Sequence, residues 1–116
     1  MSGHKGGGIP EVSATELNER LQAGQPLTLV DVREPYEKQI ADLPEVGQLR
    51  IPMGELGARL NELAEIEGPV ILYCRSGSRS GRATVALRAR GFDNIWNLQG
   101  GLLAWTDEVD PSIQEY

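Results

Sequence analysis

The sequence predicts a three-layer α/β domain, with a central, mostly parallel sheet of about five strands flanked by helices. Three observations carry this prediction. Strand-like and helix-like patterns alternate from Ser13 almost to the end of the chain. The connections are short and punctuated by glycine or proline, as at Gly24, Gly68-Pro69 and Gly91. Finally, Val70-Ile71-Leu72-Tyr73 is a nearly all-apolar run, the pattern of a strand covered on both faces.

In chain order, residues 1–8 are glycine-rich and read as a flexible arm ahead of a single domain over residues 9–116. Ser13-Ala14-Thr15-Glu16 has capping-box form, and Val12 and Leu17 are spaced as a hydrophobic staple. That helix should run to about Ala23 and stop at Gly24. Leu27 to Val32 reads as a strand, and Pro35 suits the first turn of a short helix through Ile40. Residues 42–47 form a loop, and Gln48 to Ile51 a short strand stopped by Pro52. Leu56, Leu60 and Leu63 recur at the spacing of one amphipathic helical stripe. After the strand at Val70, Ala83, Ala86 and Leu87 mark a helix ending before Gly91, with Phe92 folding back over its last turn. Asn94 to Leu98 is a further strand, and Gly100-Gly101 opens a final short helix carrying Leu102 and Trp105.

Composition excludes several classes. A chain of 116 residues can bury a core without disulfides or metals, and 40% hydrophobic with 24% charged residues is ordinary for a soluble globular protein. Seventeen acids against eleven bases leave a net charge of −6, which argues against a general nucleic-acid binder. No apolar stretch has membrane-span length and no hydrophobic segment follows the N-terminus, so neither a membrane protein nor a signal peptide is expected. One cysteine cannot make an internal disulfide, consistent with a reducing, cytoplasmic setting. The lone histidine, His4, sits in the arm without a Cys or His partner, which excludes a structural zinc site and speaks against a Cys/His hydrolase.

The chemistry centres on Cys74, at the carboxyl end of the apolar strand and ahead of a helix start. A cysteine after a buried strand can be a simple core residue. Its neighbours argue otherwise, because none of Arg75, Ser76, Gly77, Ser78 and Arg79 belongs in a core. Successive N–H groups in such a loop converge on an anion, and the helix N-terminus adds partial positive charge. A thiol held there ionises more readily and becomes a nucleophile without a histidine base. Arg75 and Arg79 are read as anchors for an oxyanion, since guanidinium matches such groups bidentately. Arg82 is open between solvated charge and a site role. Asp31 also ends a strand and can share the site, because ligands of such sheets bind beyond the strands' carboxyl ends.

Four segments together resemble the rhodanese-like, or sulfurtransferase, domain family, of the single-domain type. They are Val30-Asp31-Val32-Arg33-Glu34-Pro35-Tyr36-Glu37, Ile51-Pro52, the run from Val70 to Ser80, and Leu98-Gln99-Gly100-Gly101 through Ala104-Trp105. The resemblance implies that Cys74 forms a persulfide and that Arg75, Ser76, Gly77, Ser78 and Arg79 complete the active loop. It implies that Asp31 and Arg33 brace the site, while Trp105 lines or supports the pocket or is plain core. Many relatives carry a Gly-His-Ile and a Gly-Ala element where this chain reads Lys38-Gln39-Ile40-Ala41-Asp42-Leu43-Pro44. In that respect it looks more like the rhodanese domain fused behind E1-like adenylyltransferases that serve sulfur carriers.

The implied reaction takes sulfane sulfur from a small anionic donor such as thiosulfate onto Cys74. A thiol, cyanide or a ubiquitin-like sulfur-carrier protein then removes it, with no metal or organic cofactor required. One rival is a cysteine phosphatase or arsenate reductase, which needs five residues between cysteine and arginine. Here Arg79 follows Cys74 after four, and the next position is Ser80, so the loop encloses a smaller pocket. A second rival is a non-catalytic interaction module on the same fold.

Overall fold

A computed structural model describes residues 8–116, so all of the expected arm except Gly8 lies outside the described residues. The chain enters as a short strand, β1 (Glu11–Val12), and passes straight into helix α1 (Ala14–Gln22). The Ser13 hydroxyl accepts the Glu16 N–H at 3.0 Å, the first half of the capping box. Glu16 also pairs with Arg20, one turn on, at 3.0 Å. Gly24, at φ +68°, carries the chain away from the helix end.

Strand β2 (Thr28–Asp31), the short helix α2 (Glu37–Ile40) and strand β3 (Leu49–Arg50) follow. The stripe Leu56, Leu60, Leu63 does not form one helix: it divides between a 3-10 helix (Met53–Ala58) and helix α3 (Leu60–Ala64). Arg59 breaks the run at φ −122°, ψ 25°, and Gly54 and Gly57 in the preceding segment weaken any α-helix there. Even so, Leu56 and Leu63 share one core cluster, against which Leu60 packs.

Strand β4 (Val70–Tyr73), helix α4 (Ser78–Ala89), strand β5 (Ile95–Leu98) and helix α5 (Gly101–Glu108) complete the chain. On α4 the inward residues are Ser80, Gly81, Ala83, Thr84 and Leu87; Ala86, expected with Ala83 and Leu87, is exposed. The Phe92 N–H donates to the Leu87 carbonyl at 3.1 Å, and its ring packs against the core, which closes α4 past Gly91.

The five strands form one sheet in the order β1-β5-β4-β2-β3, and every pairing is parallel. The α/β prediction therefore holds, with β1 as an edge strand that the sequence did not reveal. Alternation along β4 divides the interior. Val70 and Leu72, with Cys74 beyond the strand, face one cluster with Val30, Ala83 and Leu87. Ile71 and Tyr73 face the other, with Leu17, Leu98, Leu102 and Trp105. Cys74 thus emerges on the α4 side, directly beneath that helix's first turn. Among the described residues, no helix is long and apolar enough to cross a membrane.

Candidate active site

Cys74 follows directly on the central strand and is completely buried, with 0% of its surface exposed. It is the packed side chain of the simplest reading and is also ringed by donors. The N–H of Gly77 lies 3.1 Å from the sulfur, the N–H of Ser80 3.5 Å, and the Ser80 hydroxyl 3.4 Å. Burial pushes the thiol up; the Ser80 hydroxyl and the N–H groups of Ser80, Gly77 and Ser76 outweigh it, leaving the thiol below its ordinary value.

Ser80 also contacts Asn97 Oδ1 at 2.5 Å. The Asn97 amide is oriented from its other end, where Nδ2 donates to Glu11 at 2.8 Å and to the Gly77 carbonyl at 3.3 Å. The hydroxyl has a single proton to share between Asn97 and the sulfur. Turned to the sulfur, it stabilises the thiolate; turned to Asn97, it leaves room for the neutral thiol.

Two glycines shape this cradle. Gly77, at φ +90°, turns the loop into α4, and a Cβ there would lie 2.9 Å from the Gly100 nitrogen. Gly101, at φ +58°, lets α5 approach until its Leu102 and Leu103 N–H groups donate to the Cys74 and Arg75 carbonyls, each at 3.0 Å. One helix N-terminus thus faces the sulfur and another ties the main chain on which it sits.

Both expected anchors, Arg75 and Arg79, have partners within the chain, although Arg75 is exposed. Arg79 forms a two-pronged pair with Glu37, at 2.7 and 2.9 Å. Its charge is maintained first by Glu37 and further by the nearby Cys74 sulfur, which puts a guanidinium within electrostatic reach of the thiolate. Arg75 Nε donates to the Tyr116 carbonyl oxygen, and its guanidinium lies 5.4 Å from the centre of the Tyr116 ring. Ser78 accepts from Arg82 Nη1 at 3.1 Å, one turn along α4.

Glu37, which the sequence reading passed over, joins the Cys74 loop to the rest of the site. It is 4% exposed and accepts from Arg79, from the Glu34 N–H at 2.9 Å and from the Tyr116 hydroxyl at 3.0 Å. The Arg79 guanidinium, against the opposing effect of burial, holds its carboxyl at about 2. The Tyr116 hydroxyl in turn accepts from Arg33 Nη1 at 2.8 Å.

Arg33 is buried, and all three guanidinium nitrogens are used. Nε and Nη2 donate to Asp31 at 2.9 and 3.1 Å, Nη2 to Asp42 at 3.0 Å, and Nη1 to the Ala41 carbonyl at 2.9 Å. Arg50 bridges the same two acids, Asp31 at 2.8 Å and Asp42 at 2.7 Å. The resulting lattice fixes the loops at the carboxyl ends of β2 and β3 beside that of β4. Glu37 and Asp42 stood in segments compared with the family but were given no role of their own, and Arg50 and Tyr116 were not singled out, because their partners lie on other elements of the fold.

Trp105 is 1% exposed and packs in the core cluster on the other face of the sheet from Cys74. It does not line the sulfur cradle; it seats α5, whose first amides hold the loop. Among the described residues, no group of three or more His, Cys, Asp or Glu is arranged to hold a metal ion.

A family model, the rhodanese-like domain, matches residues 13–108. This chain belongs to the rhodanese-like family. A sulfurtransferase of Allochromatium vinosum is 34% identical to this rhodanese-like domain over 105 residues, covering 90% of this chain and 95% of that protein. The adenylyltransferase and sulfurtransferase MOCS3 of Arabidopsis thaliana is 36% identical over an alignment covering 90% of this chain but 25% of the relative, so this chain matches one part of a larger protein. Among solved structures, the thiosulfate sulfurtransferase of Pseudomonas aeruginosa superposes with a TM-score of 0.78 at 28% identity, over 92% of this chain and 20% of that one. Human single-domain sulfurtransferase TSTD1 superposes with a TM-score of 0.69 at 28% identity, over 87% of this chain and 98% of that one.

Proposed function

We propose that this rhodanese-like domain carries sulfane sulfur as a persulfide on Cys74, taking it from a small anionic donor such as thiosulfate. The supporting observation is the ring of donors from Ser76, Gly77 and Ser80 around a sulfur whose ionisation is favoured despite its burial. Such a ring suits a thiolate, and it suits equally the anionic persulfide that replaces it.

The thiolate attacks the outer sulfur of thiosulfate. A Cys74 sulfur–sulfur bond forms, the donor's own sulfur–sulfur bond breaks, and sulfite leaves with the electron pair. No proton changes hands and total charge is conserved. The fixed Arg79 charge and the first amides of α4 stabilise the anions, while Arg75 exchanges Tyr116 for the donor's oxyanion head. Because Cys74 is fully buried, the groups over the loop must shift to admit the donor. In the second step cyanide or a thiol attacks the outer sulfur, and Cys74 leaves as thiolate. The likeness to part of an adenylyltransferase and sulfurtransferase, and to part of a putative sulfur carrier protein of Bacillus subtilis, supports a protein acceptor, such as a ubiquitin-like sulfur carrier, as the physiological recipient.

Intact mass spectrometry tests this directly. After thiosulfate treatment the protein should gain the mass of one sulfur and lose it to cyanide, with thiocyanate released. Cys74→Ala should show neither change. A sulfur gain of the same size in Cys74→Ala would overturn the mechanism.

A further inference from the structure

The charge of this chain is sharply divided. Residues 68–92 hold five arginines and no acid, whereas the remainder holds six bases and seventeen acids, a net −11. The basic segment runs through β4, the sulfur loop and α4 to Phe92, and its arginines all lie in the loop, on α4 or just past its end. Beside α4 runs a cleft of about 340 Å³. Met53, Leu56 and Leu60 form one wall and Ala86 and Leu87 the other. Arg82, Ala86 and Arg90 follow one another at four-residue intervals, so they share one ridge, with a guanidinium on either side of an exposed alanine. Arg90 is exposed, and its guanidinium meets no carboxylate within ion-pair distance among the described residues. A solvated apolar cleft between two exposed cations, on a protein that is acidic elsewhere, is complementary to an acidic surface presenting an aliphatic side chain.

We propose that this cleft docks an acidic segment of the protein that exchanges sulfur with Cys74. The inference rests on the sulfur-transfer reading above. It adds that the partner is selected by α4 and the 3-10 helix rather than by the sulfur loop. Arg82 is four residues beyond Ser78, about 6 Å along the helix, so the cleft opens about one turn from the cradle. A docked segment would therefore hold its thiol near the persulfide at high effective concentration. The partner's thiolate attacks the outer sulfur, the Cys74 sulfur–sulfur bond breaks, and Cys74 leaves as thiolate with no other reactant needed.

The probe is a synthetic peptide, Asp-Glu-Leu-Glu-Asp-Leu, joined by a six-residue Gly/Ser linker of about 14 Å reach to a terminal cysteine. Its counterpart has lysine at every acidic position. With Cys74 loaded from thiosulfate at low salt, the acidic peptide should discharge the persulfide about tenfold faster than the basic one. The advantage should vanish at 0.5 M salt, where screening shortens the reach of these charges to a few ångströms. It should also vanish in the double variant Ala86→Glu, Arg90→Glu, while cyanide discharge of that variant stays unchanged. Equal rates for the two peptides, or an advantage that survives in the variant, would overturn the proposal. Should Cys74 take up no sulfur at all, the sulfur-transfer reading fails on its own account. The cleft is then judged by amide chemical shifts with a cysteine-free acidic peptide. Salt-sensitive changes confined to residues 53–60 and 82–90 support docking, and their absence overturns it.

Discussion

Replacing Gly101 by alanine tests how α5 holds the sulfur loop. A Cβ at this position would lie 2.5 Å from the Cys74 carbonyl oxygen and 2.6 Å from that of Arg75. Both obstacles are main-chain atoms, so loop and helix must separate by roughly 1 Å to regain ordinary contact. The same carbonyls accept the Leu102 and Leu103 N–H groups at 3.0 Å, so separation also loosens those bonds. Gly24 supplies the control, with φ +68° and nothing within 4 Å of its would-be Cβ. Alanine in the left-handed region costs about 1–2 kcal/mol, and overpacking adds about 1–3 kcal/mol. Gly24→Ala should therefore lose about 1–2 kcal/mol and Gly101→Ala about 2–5 kcal/mol. For a chain of this size each kcal/mol lowers Tm by roughly 3–6 °C. Thermal unfolding measures the losses, and the pH dependence of Cys74 alkylation by iodoacetamide reports on the cradle. Gly101→Ala should move the alkylation midpoint upward as the displaced loop carries the Ser76, Gly77 and Ser80 amides out of line with the sulfur, whereas Gly24→Ala should leave it in place. Equal Tm losses with an unmoved midpoint in both would refute the claim that α5 tethers the loop.

Two further predictions follow from the same network. Ser80→Ala removes a donor to an anion, worth about 1.5–3 kcal/mol, so the alkylation midpoint should rise by about one pH unit or more. An unmoved midpoint would show that the hydroxyl serves Asn97 alone. The Glu37 carboxyl is lowered from 4.5 to about 2 in the folded state, so its contribution is complete above pH 4.5 and disappears as pH falls toward 2. That contribution is about 3 kcal/mol. Denaturant titrations across pH 2 to 7 should show Glu37→Gln less stable at neutral pH and losing less on acidification. Parallel acid profiles for the two proteins would show that the Arg79 pairing does not stabilise the fold.

Much of this fold was legible from short stretches of chain. Ser13 through Glu16 announced a helix start because a cap is closed by residues three apart. Val70 to Tyr73 announced a central strand because only a sheet covered on both faces tolerates so apolar a run. The loop from Cys74 to Arg79 identified itself by residues that no core accepts. In each case the interaction responsible lies within a few residues of its cause. The two-residue strand β1 was not legible, since it exists only by pairing with the edge of β5. The leucine stripe misled because periodicity does not register that Gly54, Gly57 and Arg59 interrupt a helix.

By itself, the sequence determined the layered α/β architecture, the cysteine and the loop that cradles it. Tertiary structure alone decided what the charged groups do. Arg79 meets Glu37 across 42 residues, and Arg33 meets the Tyr116 hydroxyl across 83. The first pairing gives one expected anchor, Arg79, a carboxylate partner within the chain, the second ties the bracing Arg33 to the end of the chain, and packing put Trp105 on the far side of the sheet from the sulfur. Hydrogen bonds of caps and turns are set by neighbours in the chain. An ion pair depends on which strand ends the sheet order brings side by side.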